Sequence, residues 1–125
     1  MDDNVDVGHD WREAHLSKLS ALAALAAGWD GPDSQPLSDA SASHFEEFLT
    51  RVAGGRSSDA EPMLTDEGFI RLEWRSAGYS YAAELGADSL YMCALAPSSA
   101  DDADVELDTF DLERLVHFFE SGDLR

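Results

Sequence analysis

Residues 69 to 96 read "FIRLEWRSAGYSYAAELGADSLYMCALA", and this run restricts the fold more than any other part of the chain. Ile70, Leu72 and Trp74 alternate with Arg71, Glu73 and Arg75. A period of two puts the apolar three on one face of a strand and the charged three on the other. The turn "SAG" at 76–78 leads into "YSYAAEL", with Tyr79, Tyr81, Ala83 and Leu85 on one face. "GADS" then leads into "LYMCALA". Links this short join antiparallel neighbours, because a parallel return needs a crossover of a dozen residues or more. A meander is therefore expected. "TDEG" at 65–68 reads as one more turn, fed by a short strand around Met63 and Leu64. "VEL" at 105–107 reads either as a last strand or as the lead into a helix.

The flanking segments carry the helical period instead. Leu16, Leu19, Leu22 and Ala26 step at three and four, which predicts a helix from a cap at Asp10 to about Ala27, stopped by Gly28. Residues 1–9 read as a flexible acidic arm. Ser38 can cap a second helix over 39–53, with Phe45, Phe48, Leu49 and Val52 on one stripe and Gly54-Gly55 at its end. "GGRSSDAEP" follows as a polar loop. Asp108 or Thr109 is expected to cap a final helix whose stripe is Leu112, Leu115, Val116 and Phe119. The predicted class is α+β, one domain over 10–125. Two N-terminal helices, a three- or four-stranded antiparallel meander and a C-terminal helix pack on one sheet face. Trp74 falls in the core, and Trp11 could staple the first helix or meet a partner.

Charge is the second strong signal. The chain has 8 Lys+Arg against 26 Asp+Glu, a formal net charge of -18. That charge opposes direct binding to nucleic acid or to an anionic membrane, where clustered Lys and Arg are required. It suits a basic protein partner, including one that itself binds nucleic acid. Residues 99 to 125 hold nine acids against Arg114 and Arg125, so that segment alone carries 2 − 9 = -7. The candidate partner-binding residues are Asp101, Asp102, Asp104, Glu106, Asp108, Asp111 and Glu113. Three of them, Asp108, Asp111 and Glu113, also sit where a helix N-terminus favours negative charge.

Motifs for chemistry are missing. Cys93 is the only cysteine, so an internal disulfide is impossible, and a structural role inside its apolar strand is expected. "DDAD" at 101–104 lacks the central glycine and distant glutamate of a calcium loop. "HFEEF" at 44–48 has Phe48 where HExxH needs its second histidine. There is no nucleophile elbow, phosphate loop or dinucleotide fingerprint. No catalytic residue, metal or cofactor is assigned. The start "MDDNVDVGHD" has no apolar core of a signal peptide, and Leu19 to Ala27 is far shorter than the ~20 residues of a membrane span, so a cytoplasmic protein is expected.

The connector "GWDGPDSQPLSD" at 28–39 raises a separate question. Gly28, Trp29, Asp30, Gly31 and Pro36 read as a structural corner, with Trp29 folding back over the end of the core. Asp30 would bond either the Trp29 indole or the turn amides. Together with Phe48-Leu49 and Leu72-Glu73-Trp74, this stretch resembles a group of small bacterial proteins. Their shared pattern is a helix, GWDGxxxxP, a second helix ending in Phe-Leu and a strand containing LEW. The likeness covers roughly residues 16–95. The chain departs from it at Ser34-Gln35, where a small residue is usual, and in its acidic tail. The resemblance implies the fold and a bacterial or phage origin, and supplies no catalytic residues.

Three functions follow as expectations. The first is a non-enzymatic inhibitor of antitoxin, immunity or phage anti-defence type, in which carboxylates stand in for nucleic-acid charge. The second is a structural component that forms homo-oligomers through a sheet edge or the Ala-rich helix face. The third is a small ligand-binding domain or enzyme built around the Trp29 loop.

Overall fold

The alternating run becomes the middle of a five-stranded antiparallel sheet in a computed structural model that describes residues 3–52 and 60–124. The strands are β1 (Glu61–Leu64), β2 (Ile70–Ser76), β3 (Tyr79–Leu85), β4 (Leu90–Leu95) and β5 (Ala103–Leu107). They lie in the order β1-β2-β3-β4-β5, a plain meander. The β2–β3 hairpin is a two-residue turn in which Ala77 (φ 53) and Gly78 (φ 86) both take positive φ. That geometry matches the right-handed twist of the flanking strands. The sheet has five strands rather than three or four because both short end segments pair. β1 adds along Glu61↔Glu73 to Leu64↔Ile70, and β5 along Leu90↔Leu107 to Ala94↔Ala103. Neither has a strong strand pattern of its own. The ladder of the neighbouring strand supplies the stabilisation.

Three helices accompany the sheet: α1 (Asp3–Ala23), α2 (Asp39–Arg51) and α3 (Leu112–Ser121). α1 begins at Asp3, so the expected arm is helical from that residue on; residues 1 and 2 lie outside the described ones. The helix also stops earlier than predicted, at Ala23. Its buried positions are His15 and Leu19, with Leu22 packed beside them, whereas Leu16 is exposed. Of the expected Leu16–Leu19–Leu22–Ala26 stripe, Leu19 and Leu22 face the core, His15 takes the place of Leu16, and Ala26, beyond the helix end, is exposed. A polar atom decides it: His15 Nε2 meets the Ala60 carbonyl at 2.6 Å. α2 starts as predicted, with Ser38 Oγ accepting from the Ser41 amide. Gly54, Gly55 and most of the polar loop after them lie outside the described residues. α3 is capped by Asp111, whose carboxylate accepts from the Arg114 amide at 3.2 Å, and not by Asp108 or Thr109. Gly122 (φ 78) closes it in the left-handed conformation that glycine adopts cheaply.

The helices cover one face of the sheet. Ile70, Leu72, Trp74, Ala83, Leu85, Leu90 and Met92 form a single cluster with Leu19, Phe45, Phe48, Leu49, Leu115, Phe118 and Phe119. Trp74 is central to it. Its ring meets Phe118 and Phe119 edge-on at 5.4 and 5.0 Å and lies parallel to Tyr81 at 5.7 Å. Phe118, outside the predicted stripe, is fully buried. Ser41 joins helix to sheet: its hydroxyl donates to the Leu85 carbonyl at 2.6 Å and accepts from the Ile70 amide at 2.8 Å. Ser41→Ala should therefore orphan a buried N–H and a buried C=O at the ends of β2 and β3. The expected cost is about 2 kcal/mol, read from the midpoint of urea unfolding. A loss within experimental error would show that the strand ends find other partners.

Candidate protein-binding surface

The corner at 28–36 is built differently from its prediction. Gly28 (φ 85) does not stop α1. It sits in a later turn, where its amide donates to the Ser34 carbonyl at 2.9 Å. Trp29 does not cover the core. It is only half-buried, lies outside the core cluster, and donates its indole N–H to the Gln35 carbonyl at 2.9 Å. The ring therefore closes its own loop. Buried Ser34 supplies the turn bonds expected of Asp30: Oγ accepts from the Asp30 amide and donates to the Gly31 carbonyl. Pro36 packs its carbonyl against Gly68 of the β1–β2 turn. Asp30 instead reaches Asp66 of that turn, and this carboxyl pair, with Asp33 nearby, raises the Asp66 pKa above the ordinary value. A raised folded-state pKa stabilises below the unfolded pKa, and that contribution is lost as pH rises through the folded value. Asp66→Asn is accordingly expected to raise the melting temperature slightly at pH 7. The gain should vanish near pH 3, where the Asp66 carboxyl, its pKa raised, is protonated; equal gains at both pH values would contradict this sign.

The face of the sheet opposite the helices has no element over it among the described residues. Pairing lays its side chains out in rows across the strands. One row runs Arg75–Ser80–Leu95, and the next runs Glu73–Ala82–Cys93–Asp104. A third runs Arg71–Glu84–Tyr91–Glu106. Ala82 and Cys93 in the middle row and Ser80 beside them are small, whereas Arg71, Glu84, Tyr91 and Leu95 around them are longer, and this leaves a trough across the strands. Its main cavity holds about 570 Å³ over Ala82 and Cys93, with Arg71, Arg75 and Leu95 in its walls. A second cavity of about 240 Å³ shares Cys93 and Leu95 and continues to Asp102 and Asp104 on the β5 side. Cys93 is buried as expected, but in the floor of this trough and not under the helices.

Charges in the trough are sorted. Arg71 holds both Glu73 (2.7 Å) and Glu84 (2.6 Å). Arg75, two residues further along β2, is exposed and has no ion-pair or hydrogen-bond partner among the described residues, since both nearby glutamates are taken. At the other end, Tyr91 donates to Asp104 at 3.1 Å. Burial, with Cys93 and Asp104 adding to it, pushes the Tyr91 phenol up to about 12.

The seven carboxylates singled out in the sequence do not form one site. Asp102 accepts from the Ala96 amide, Asp111 caps α3, and Glu113 is clamped by both Nη atoms of Arg51. That Arg51 clamp holds the Glu113 pKa below its usual value. Asp104 and Glu106 point outward from the edge strand β5, with Asp101, Asp102 and Asp108 exposed beside it. Charges on an edge strand also block pairing with other chains. His44 has a packing role: it stacks on Phe110 at 3.8 Å and bonds the Ala87 carbonyl at 3.1 Å. Among the described residues no group of three His, Cys, Asp or Glu could hold a metal ion, and no helix is long and apolar enough to cross a membrane.

The trough was only half visible in the sequence. Alternation places Arg75 outward. The overlooked signal is that Tyr91, Cys93 and Leu95 are uncharged on a face where β2 and β5 carry charge. No family model, curated protein or solved structure matches the chain.

Proposed function

We propose that the protein is a non-enzymatic, acidic inhibitor that binds a basic protein, of the antitoxin, immunity or phage anti-defence kind. In this reading its carboxylates occupy positions where the target expects phosphates. The observation that carries it is the charge of -18 together with the exposed row of Asp101, Asp102, Asp104, Glu106 and Asp108 along one sheet edge. Self-repulsion on this scale destabilises a compact chain, and a field of one sign steers an oppositely charged partner. Membership in the bacterial group sharing the GWDGxxxxP and LEW elements is part of the same proposal. Assembly through sheet edges is less well supported. Two copies meeting at β5 would set Asp104 and Glu106 against like charges, and β1 is four residues long and carries Pro62.

The test is capture of the target from the native host on immobilised protein, followed by kinetics. Association should slow about tenfold or more between low and high salt, and duplex DNA should compete. Joint replacement of Asp101, Asp102, Asp104, Glu106 and Asp108 by their amides should slow association as salt does. Binding indifferent to salt and to DNA would rule out charge mimicry.

A further inference from the structure

We infer that the trough across the uncovered sheet face is a recognition groove for an extended segment of the partner. That segment carries a basic residue, a central apolar residue and an acidic residue at alternate positions. This inference rests on the reading of the protein as a binder of another protein. Three features converge. Leu95 is 47% exposed, one of two exposed large hydrophobic side chains among the described residues, and it stands over the small floor made by Ala82 and Cys93. An apolar anchor of the partner would bury Leu95 there. Arg75 stands in the wall beside the β2 end, where Glu73 closes the floor row, and has no ion-pair or hydrogen-bond partner among the described residues, because Arg71 holds both neighbouring glutamates. It is therefore free for an anion that the partner brings. The opposite end opens on Asp102 and Asp104, which suit a cation.

Spacing fixes the order. Arg75 lies on β2 and Asp104 on β5, three strand intervals or about 14 Å apart across the sheet and two residues apart along the strands, a distance that the two side chains and those of the ligand bridge. Four residues of extended chain cover about the same length, and residues i, i+2 and i+4 point to one side. A segment lying along the trough can thus set its basic residue at Asp102 and Asp104, its apolar residue over Ala82 and Cys93, and its acidic residue at Arg75.

The probe is the capped pentapeptide Lys-Ser-Leu-Ser-Asp, titrated into isotope-labelled protein and followed by amide shifts. Shifts should centre on Ala82, Cys93 and Leu95. Replacing the central Leu by Gly should weaken binding about tenfold, the value of one buried apolar side chain. Ala82→Leu, which fills the floor, and Leu95→Ser, at an exposed position, should each weaken it similarly. Arg75→Glu should invert the preference, so that Lys-Ser-Leu-Ser-Lys becomes the tighter ligand. The groove is wrong if Arg75→Glu leaves the ranking unchanged or if shifts map to the β5 edge alone. It is equally wrong if the Gly peptide binds as well as the Leu peptide. Those three results leave the acidic-inhibitor reading standing, and that reading fails separately if the captured target ignores salt and DNA. Concentration-dependent dimerisation that buries Leu95 and excludes the peptide would overturn the inference in favour of a second copy.

Discussion

Gly68→Ala is expected to destabilise the protein by about 3 kcal/mol, from left-handed backbone strain and from overlap in a packed site. Gly68 has φ 87, and a Cβ there would stand 2.2 Å from the Pro36 carbonyl oxygen. Backbone cannot yield as a flexible side chain can. The two loops are also tied by hydrogen bonds: the Gln35 amide donates to Asp66 and the Ser38 amide donates to Gly68, each at 2.7 Å. Ser38 caps α2, so pushing the loops apart loosens the helix that carries Phe45, Phe48 and Leu49. Gly31→Ala is the control. Its φ is 112, yet nothing lies within 4 Å of the added Cβ, so only backbone strain of about 1–2 kcal/mol applies. Urea unfolding followed by far-ultraviolet circular dichroism reads both variants. Equal losses would mean that the close approach of Gly68 to Pro36 contributes nothing.

Trp74→Ala is expected to cost about 3–5 kcal/mol, the range for deleting a large buried aromatic. The indole joins β2 to α3 through Phe118 and Phe119 and to β3 through Tyr81. Trp74→Phe should lose less than about 1.5 kcal/mol. It keeps a ring against the same neighbours and removes an indole N–H that is buried with no partner among the described residues. If the phenylalanine variant unfolds as readily as the alanine one, ring contact with α3 is not what Trp74 supplies.

Both variants probe joints between elements, where reading from the sequence was weakest. Trp29 shows why. A tryptophan between glycines looked like a lid on the core, but its N–H had an acceptor six residues away in its own loop. A local bond of that kind competes with distant packing, and residue type does not reveal which prevails. α1 gives the complementary case. Its period put Leu19 and Leu22 inward as observed, but where it pointed to Leu16 the buried position is His15, whose ring meets the distant Ala60 carbonyl.

What the sequence determined by itself is whatever depends on local period and turn chemistry. Ile70, Leu72 and Trp74 had to share a face, and the links at 76–78 and 86–89 had to join antiparallel neighbours. Ser38 had to start α2, and 26 acids against 8 bases had to give a formal net charge of -18. Tertiary structure alone decided that β1 and β5 pair, because such short segments are held by their neighbours' ladders. It alone set Gly68 against Pro36. It also put Ala82 and Cys93 side by side, with small Ser80 next to them and longer side chains around, and left Arg75 unpaired among the described residues. Each of these depends on residues brought together from different strands or loops, and no spacing along one strand encodes a row that crosses four.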